Sequence, residues 1–251
     1  MPDKTKPTRW YRPEWGLPIG ISIMVVWVLC LVVNLHQAPD PTSPWLYLGI
    51  LVQTHLYTGL FITAHDAMHG TVHPNRKLNH LMGHLAAMLF IFNPYEKLRR
   101  KHYVHHLHPV TDDDPDYHKG SFLRWYLGFL LEYITWWQIL AAAAAFELAA
   151  LWIPKPTMVV FWIIPAFMST MQLFYFGTYL PHKPAHEPNN RHRSRSQKLH
   201  HVLSFLKCYH FGYHYEHHDQ PQLPWWALPW QKEAREMGKP KPKALRPLTK
   251  A

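Results

Sequence analysis

Between Trp45 and Ala64 the chain carries no Asp, Glu, Lys or Arg, and this apolar run ends in His65 and His69. The run is long enough to cross about 30 Å of hydrocarbon at about 1.5 Å per helical residue. Residues four apart share a helix face, so both imidazoles leave the bilayer on one side of a last turn. Imidazoles placed this way can share a metal ion or flank a pair of them. Such a segment reads as a spanning helix with a candidate ligand pair on its last turn, although a single pair at this spacing more often has an ordinary role.

Composition agrees once its distribution is considered. The 251 residues include 21 His, 12 Trp, 13 Tyr and 12 Phe, with a formal charge of +10. So many imidazoles exceed the needs of a core, and imidazole is the commonest metal ligand. The Lys and Arg residues flank apolar blocks, which fits anionic headgroups and the positive-inside rule. No nucleic-acid motif accompanies them, and nucleic acid is not expected as a partner. Cys30 and Cys208 match no thiolate metal motif and read as reduced thiols.

Four spans are expected. Residues 1–16 form a basic cytoplasmic tail with Trp10, Tyr11 and Trp15 at headgroup level. Residues 17–35 make the first span, read as an anchor because no small-residue cleavage site follows. The connection 36–44 has no Lys or Arg and is extracytoplasmic; residues 45–65 return. The apolar segment 81–92 is too short for a span and reads as interfacial or buried. Asn93, Pro94 and Glu96 predict a helix start with Asn93 as the N-cap, and that helix stops before Pro109. Residues 111–116 read most simply as a solvated acidic turn, with support of metal ligands as the other reading. Residues 122–153 combine an interfacial piece with a third span, with Trp136 and Trp137 at the boundary and Glu132 and Glu147 near the two interfaces. Residues 157–179 make the fourth. The expected fold is therefore all-α, an integral membrane protein of two hairpins with a cytoplasmic helical cap. It is a single domain over 1–251, with both termini and the metal site on the cytoplasmic side.

Three histidine clusters share the logic of a helix face. His65 and His69 are the first; His102, His105 and His106 the second; His214, His217 and His218 the third. Spacings of three and four place each set on one side of a helix. Eight neutral imidazoles suit two ions better than one. His80 and His84 share the spacing but read as interfacial or outer residues, and His210 could support the centre. His200 and His201 read as surface residues. Asp66 and Glu216 lie beside ligands, placed to accept an imidazole N–H. The basic segment 191–198 has no role legible from sequence.

The ordered HxxxH, HxxHH and HxxHH resemble the membrane-bound fatty-acid desaturase and hydroxylase superfamily over nearly the whole chain. Three longer stretches, 61–70, 176–182 and 210–218 followed by 224–229, resemble the β-carotene ketolases within it. The resemblance implies a non-haem centre of two Fe2+ ions and a ninth ligand, for which His182 is the candidate by position. It implies O2 as co-substrate and an external electron donor of ferredoxin type; the basic face either docks such an acidic partner or serves only topology. The implied reaction is oxidation of the C4 methylene of β-ionone rings, taking β-carotene to echinenone and then canthaxanthin. Such carotenoids reach the site only from the lipid bilayer. A carotenoid hydroxylase or acyl-lipid desaturase is the alternative within the superfamily. Outside it stands a non-enzymatic membrane metal-binding protein, which would string ligands through the membrane midplane instead of clustering them at helix ends.

Overall fold

The computed structural model describes residues 13–239. The described residues are helical, without strands. The helices are α1 (Gly16–Leu35), α2 (Pro44–Met68), α3 (Arg76–Leu89), α4 (Tyr95–Leu107), α5 (Phe122–Tyr133), α6 (Trp136–Ala149), α7 (Lys155–His182), α8 (His201–Cys208), α9 (His214–Asp219) and α10 (Leu228–Met237). By length and composition α1, α2 and α7 can each cross a membrane. The pair α5 and α6 passes the same test together, bent by 84° at its break. The aromatic residues Trp10 and Tyr11, expected at headgroup level, lie outside the described residues.

The long helix α2 is the axis. From Tyr57 to Met68 all its residues except Phe61 are buried, and it packs against α1, α3 and α7. Gly83 of α3 lets that helix close on α2, since a Cβ there would collide with the Tyr95 ring and lie 2.9 Å from Ala67 Cβ. The segment expected as interfacial or buried is thus a helix whose Met82, Ala86 and Ala87 face the core while Leu81, Leu85 and Met88 are exposed.

Local chemistry sets the ends. Asn75 caps α3 by accepting from the Leu78 N–H at 3.1 Å, and Ser121 caps α5. Thr135 and Gln138 form a capping box at the start of α6, which places the bend just before Trp136. Helix α4 starts one residue later than the sequence predicts. Pro94 is its flanking residue, and Asn93 instead donates its backbone N–H to the Ala87 carbonyl at 2.9 Å. Glu132 pairs with Lys101, and Glu147 with Lys155 at 2.8 Å.

Helix α7 widens into π-turns at Val159–Ile163 and Phe174–Tyr179, each ending shortly before a proline, Pro165 and Pro181. A proline has no N–H and crowds the carbonyl four residues back, so the ladder relaxes to the wider spacing there. The second π-turn lies immediately before the last turn of α7, which carries His182.

Candidate metal centre

Four helices deliver imidazoles to one place. The last turn of α2 brings His65 and His69, α4 brings His102, His105 and His106, the end of α7 brings His182, and α9 brings His214, His217 and His218. They form two groups. His65, His69, His102, His106 and His217 make one; His105, His182, His214 and His218 make the other. Within each group the ligand-capable atoms all lie within 4.8 Å of one another. These are the nine histidines singled out from sequence, and the described residues contain no other such group.

The distances suit metal binding. His69 Nε2 is 2.7 Å from His102 Nε2, and His106 Nε2 lies 3.0 Å from both His102 Nε2 and His217 Nε2. In the second group His218 Nε2 is 3.1 Å from His105 Nε2 and 3.0 Å from His214 Nε2. Two nitrogens each about 2.1 Å from a common ion, at right angles, stand about 3 Å apart. Neutral imidazoles alone cannot satisfy such a set, because each offers one donor and one acceptor while several converge on one point. His182 Nε2 is buried beside this second group and has no hydrogen-bond partner at all. An all-imidazole donor set suits iron, zinc, copper or nickel.

The surroundings keep the imidazoles neutral. Burial holds His102, His106, His214, His217 and His218 well below the ordinary value for histidine, and neighbouring imidazoles add to it. His105 differs. Burial works in the same direction, but the carboxylates of Asp116 and Asp114 outweigh it and raise His105.

That contrast decides between the two readings of the acidic run in favour of the supporting one at Asp114. The expected solvated turn is folded inward at Asp114, whose oxygens lie 3.0 and 3.1 Å from His105 Nδ1. Asp114 also accepts the backbone N–H groups of Val110 and Asp116. Asp116 takes the Tyr133 hydroxyl. The basic segment 191–198 is a strap over the second group. The Arg193 carbonyl accepts from His182 Nδ1 at 2.9 Å, and Ser196 donates to Glu216. A ligand histidine whose far nitrogen is fixed in this way has a set tautomer and ring orientation. Backbone carbonyls leave no trace in a motif, which is why the strap had no legible role.

The remaining candidates separate. Asp66 lies 3.4 Å from His65 Nδ1 and accepts the Trp225 N–H at 3.0 Å. Glu216, expected to support an imidazole, is buried in an ion pair with Arg235 at 2.9 Å. His80 contacts the Tyr95 hydroxyl, His84 faces Glu96, and neither joins a metal group. His210 stacks against Tyr213 and Trp225, outside both groups. His200 is exposed and caps α8; His201 is half-buried between Tyr213 and Glu233.

A cavity of about 420 Å³ opens directly off the centre. His65, His102, His105 and His214 form part of its wall, and the rest is mainly apolar, including Phe61, Met68, Leu98, Leu173 and Phe211. The Phe211 ring sits 4.7 Å from His65 and 5.2 Å from His214, between the two groups and the cavity. Asn93 is among the few polar lining residues, with Asp116, Gln138, Thr170 and Thr178, and its buried Oδ1 has no partner.

The family described as fatty acid desaturase matches at residues 42–136 and 127–243. A beta-carotene ketolase of Paracoccus sp. strain N81106 is 44% identical over 219 residues, covering 85% of this chain and 90% of the relative. Beta-carotene 4-ketolase 3 of Haematococcus lacustris is 43% identical, covering 85% and 78%. Zeaxanthin 4-ketolase of Chlamydomonas reinhardtii is 35% identical over 87% of this chain and 54% of its own. No solved structure matches the chain. The chain belongs to the fatty acid desaturase family, in the group of the beta-carotene ketolases.

Proposed function

We propose that this oxidoreductase converts the C4 methylene of β-ionone rings to a ketone, taking β-carotene through echinenone to canthaxanthin. The observation that carries the reading is one apolar cavity walled at its end by histidines of both metal groups. Each round inserts one oxygen atom of O2 at the same carbon, using two electrons and two protons and releasing one water. Two rounds give a geminal diol, which loses water to form the ketone.

The five- and four-histidine groups would hold two iron ions, which would supply the oxidising power for O2 chemistry. The chain supplies the rest. Asp114 and the Arg193 carbonyl hold His105 and His182 in orientation. Phe211, Met68 and Leu173 exclude water from the face where the ring docks. The apolar wall selects a hydrocarbon ring and aligns its C–H bonds by shape.

A ferredoxin-like donor fits the exposed Arg191 and Arg193 on the strap above the second group. In the bilayer, α1 with α2 and the α5–α6 pair with α7 form two hairpins, giving four spans. The metal end and both termini then lie on the cytoplasmic side, where Lys and Arg concentrate.

The test is pigment analysis in bacteria that accumulate β-carotene. Echinenone and canthaxanthin are expected, and both vanish with His65→Ala or His217→Ala. Hydroxylated pigments alone would move the chain to the hydroxylases. Unchanged β-carotene from iron-loaded protein with a competent reductase would remove the carotene assignment.

A further inference from the structure

The cavity grades from closed to open along α7. At its inner end stand His65, His214 and Thr178, none more than 5% exposed. At its other end stand Ile139 of α6 and Ile163 and Phe167 of α7, which are 59%, 42% and 55% exposed. Thr178 and Ile163 are fifteen positions apart, about 22 Å along a helix at 1.5 Å per residue. The cavity is therefore a long slot with its mouth well away from the metal end. The exposed residues at that mouth are apolar and lie within the candidate spans, so the mouth faces hydrocarbon.

One wall of the slot is held weakly. Among the residues of α6, only Gln138 is buried. Its Oε1 accepts the Thr135 N–H in the capping box, and its Nε2 donates to the Ile91 carbonyl at 3.2 Å. Ile91 and Phe92 both hold left-handed backbone, with φ of 56° and 53°. A β-branched residue adopts that conformation only when its surroundings enforce it. At the far end α6 is tied to α7 by the exposed Glu147–Lys155 pair and by Phe146 beside Trp162. An element with so few buried contacts opens at low free-energy cost.

We propose that the substrate, a long apolar rod, enters ring-first from the bilayer between α6 and α7, with α6 as the movable side of the opening and Gln138 as its pin. The inference rests on the reading of the substrate as a lipid-dissolved carotenoid. Ile139 and Phe167 are its mouth residues.

The test uses the full chain in membranes, with Cys30→Ser and the buried Cys208 retained. Single substitutions Ile139→Cys and Phe167→Cys are compared with Leu140→Cys and Leu148→Cys, exposed on α6 but outside the slot lining. Each is treated with N-phenylmaleimide with and without β-carotene. Slower labelling by several-fold in the presence of β-carotene is expected at 139 and 167 only. The adducts there should lower ketone formation several-fold. Equal labelling with and without β-carotene at both mouth positions, with full turnover of the labelled protein, overturns the proposal. Gln138→Ala combined with Ile139→Cys should label several-fold faster, and an unchanged rate removes Gln138 as the pin. Protection of Ile139→Cys by β-carotene, with no ketone formed by the chain that keeps Ile139, would sink the proposed chemistry and leave the opening standing. Ketone without protection would sink the opening alone.

Discussion

His105 Nδ1 and Asp114 Oδ1 lie 3.0 Å apart with both side chains buried. The carboxylate fixes Nδ1 as the protonated nitrogen and leaves the Nε2 lone pair aimed at the group that includes His182 and His218. Two backbone N–H groups hold the carboxylate in turn, so the acidic loop sets a ligand's orientation. Asp114→Asn should reduce affinity for the ion in this group about 10- to 100-fold. Metal retained during dialysis against graded chelator would check it. Retention equal to wild type would show that the loop does not support the site.

Removing a ligand should act on one group. His182→Ala is expected to lower bound metal from about two ions per chain to about one, since it deletes one of four donors. His84→Ala should leave metal content unchanged, because His84 is exposed and faces Glu96. Metal analysis of both purified variants separates the outcomes. A loss of metal with His84→Ala would mean the two groups are wrongly drawn.

A methyl group should be enough to disturb the cavity's inner wall. A Cβ at Gly177 would lie 2.6 Å from Phe211 Cδ1, and Phe211 packs on His65 and His214. Gly177→Ala should therefore destabilise by about 1–3 kcal/mol, typical of overpacking, and slow ketone formation. Phe211→Leu in the same chain should restore part of the loss, a non-additivity that thermal unfolding in detergent can measure.

Acidity should weaken the metal-free protein. His102, His106, His214, His217 and His218 all sit well below the ordinary 6.5, chiefly through burial. As pH falls through 6.5 the unfolded chain takes up protons that the folded state refuses, so stability falls with pH. His105, raised by its carboxylates, and Asp116, pushed up to about 6 chiefly by burial, oppose this but are outnumbered. Chelated protein should unfold at lower temperature at pH 5.5 than at pH 7.5, and a flat or reversed trend would contradict the buried neutral cluster.

The parts legible in the sequence are those with a period or a length. The three long apolar helices α1, α2 and α7 were legible because apolar length is a direct requirement of hydrocarbon thickness. The eight box histidines were visible because a helix face demands spacings of three and four. His182 came from resemblance alone, since an isolated histidine at a helix end has no partner in sequence. For the acidic run 111–116 the supporting role was legible only as the second reading, because such a run reads as solvated until a fold buries one member, here Asp114. The strap escaped for another reason: its contribution at Arg193 is a backbone carbonyl, which every residue possesses. The late start of α4 follows from Asn93, whose backbone closes on Ala87 and whose side chain turns into the cavity.

The most direct test of the account is an iron titration of turnover. Chelated protein in nanodiscs with β-carotene, O2 and a reduced ferredoxin would receive graded equivalents of Fe2+, with ketone measured by HPLC. Two histidine groups predict that product rises to a plateau at about two iron ions per chain. A plateau at one ion, or ketone formed without iron, would contradict a paired centre at the end of the cavity.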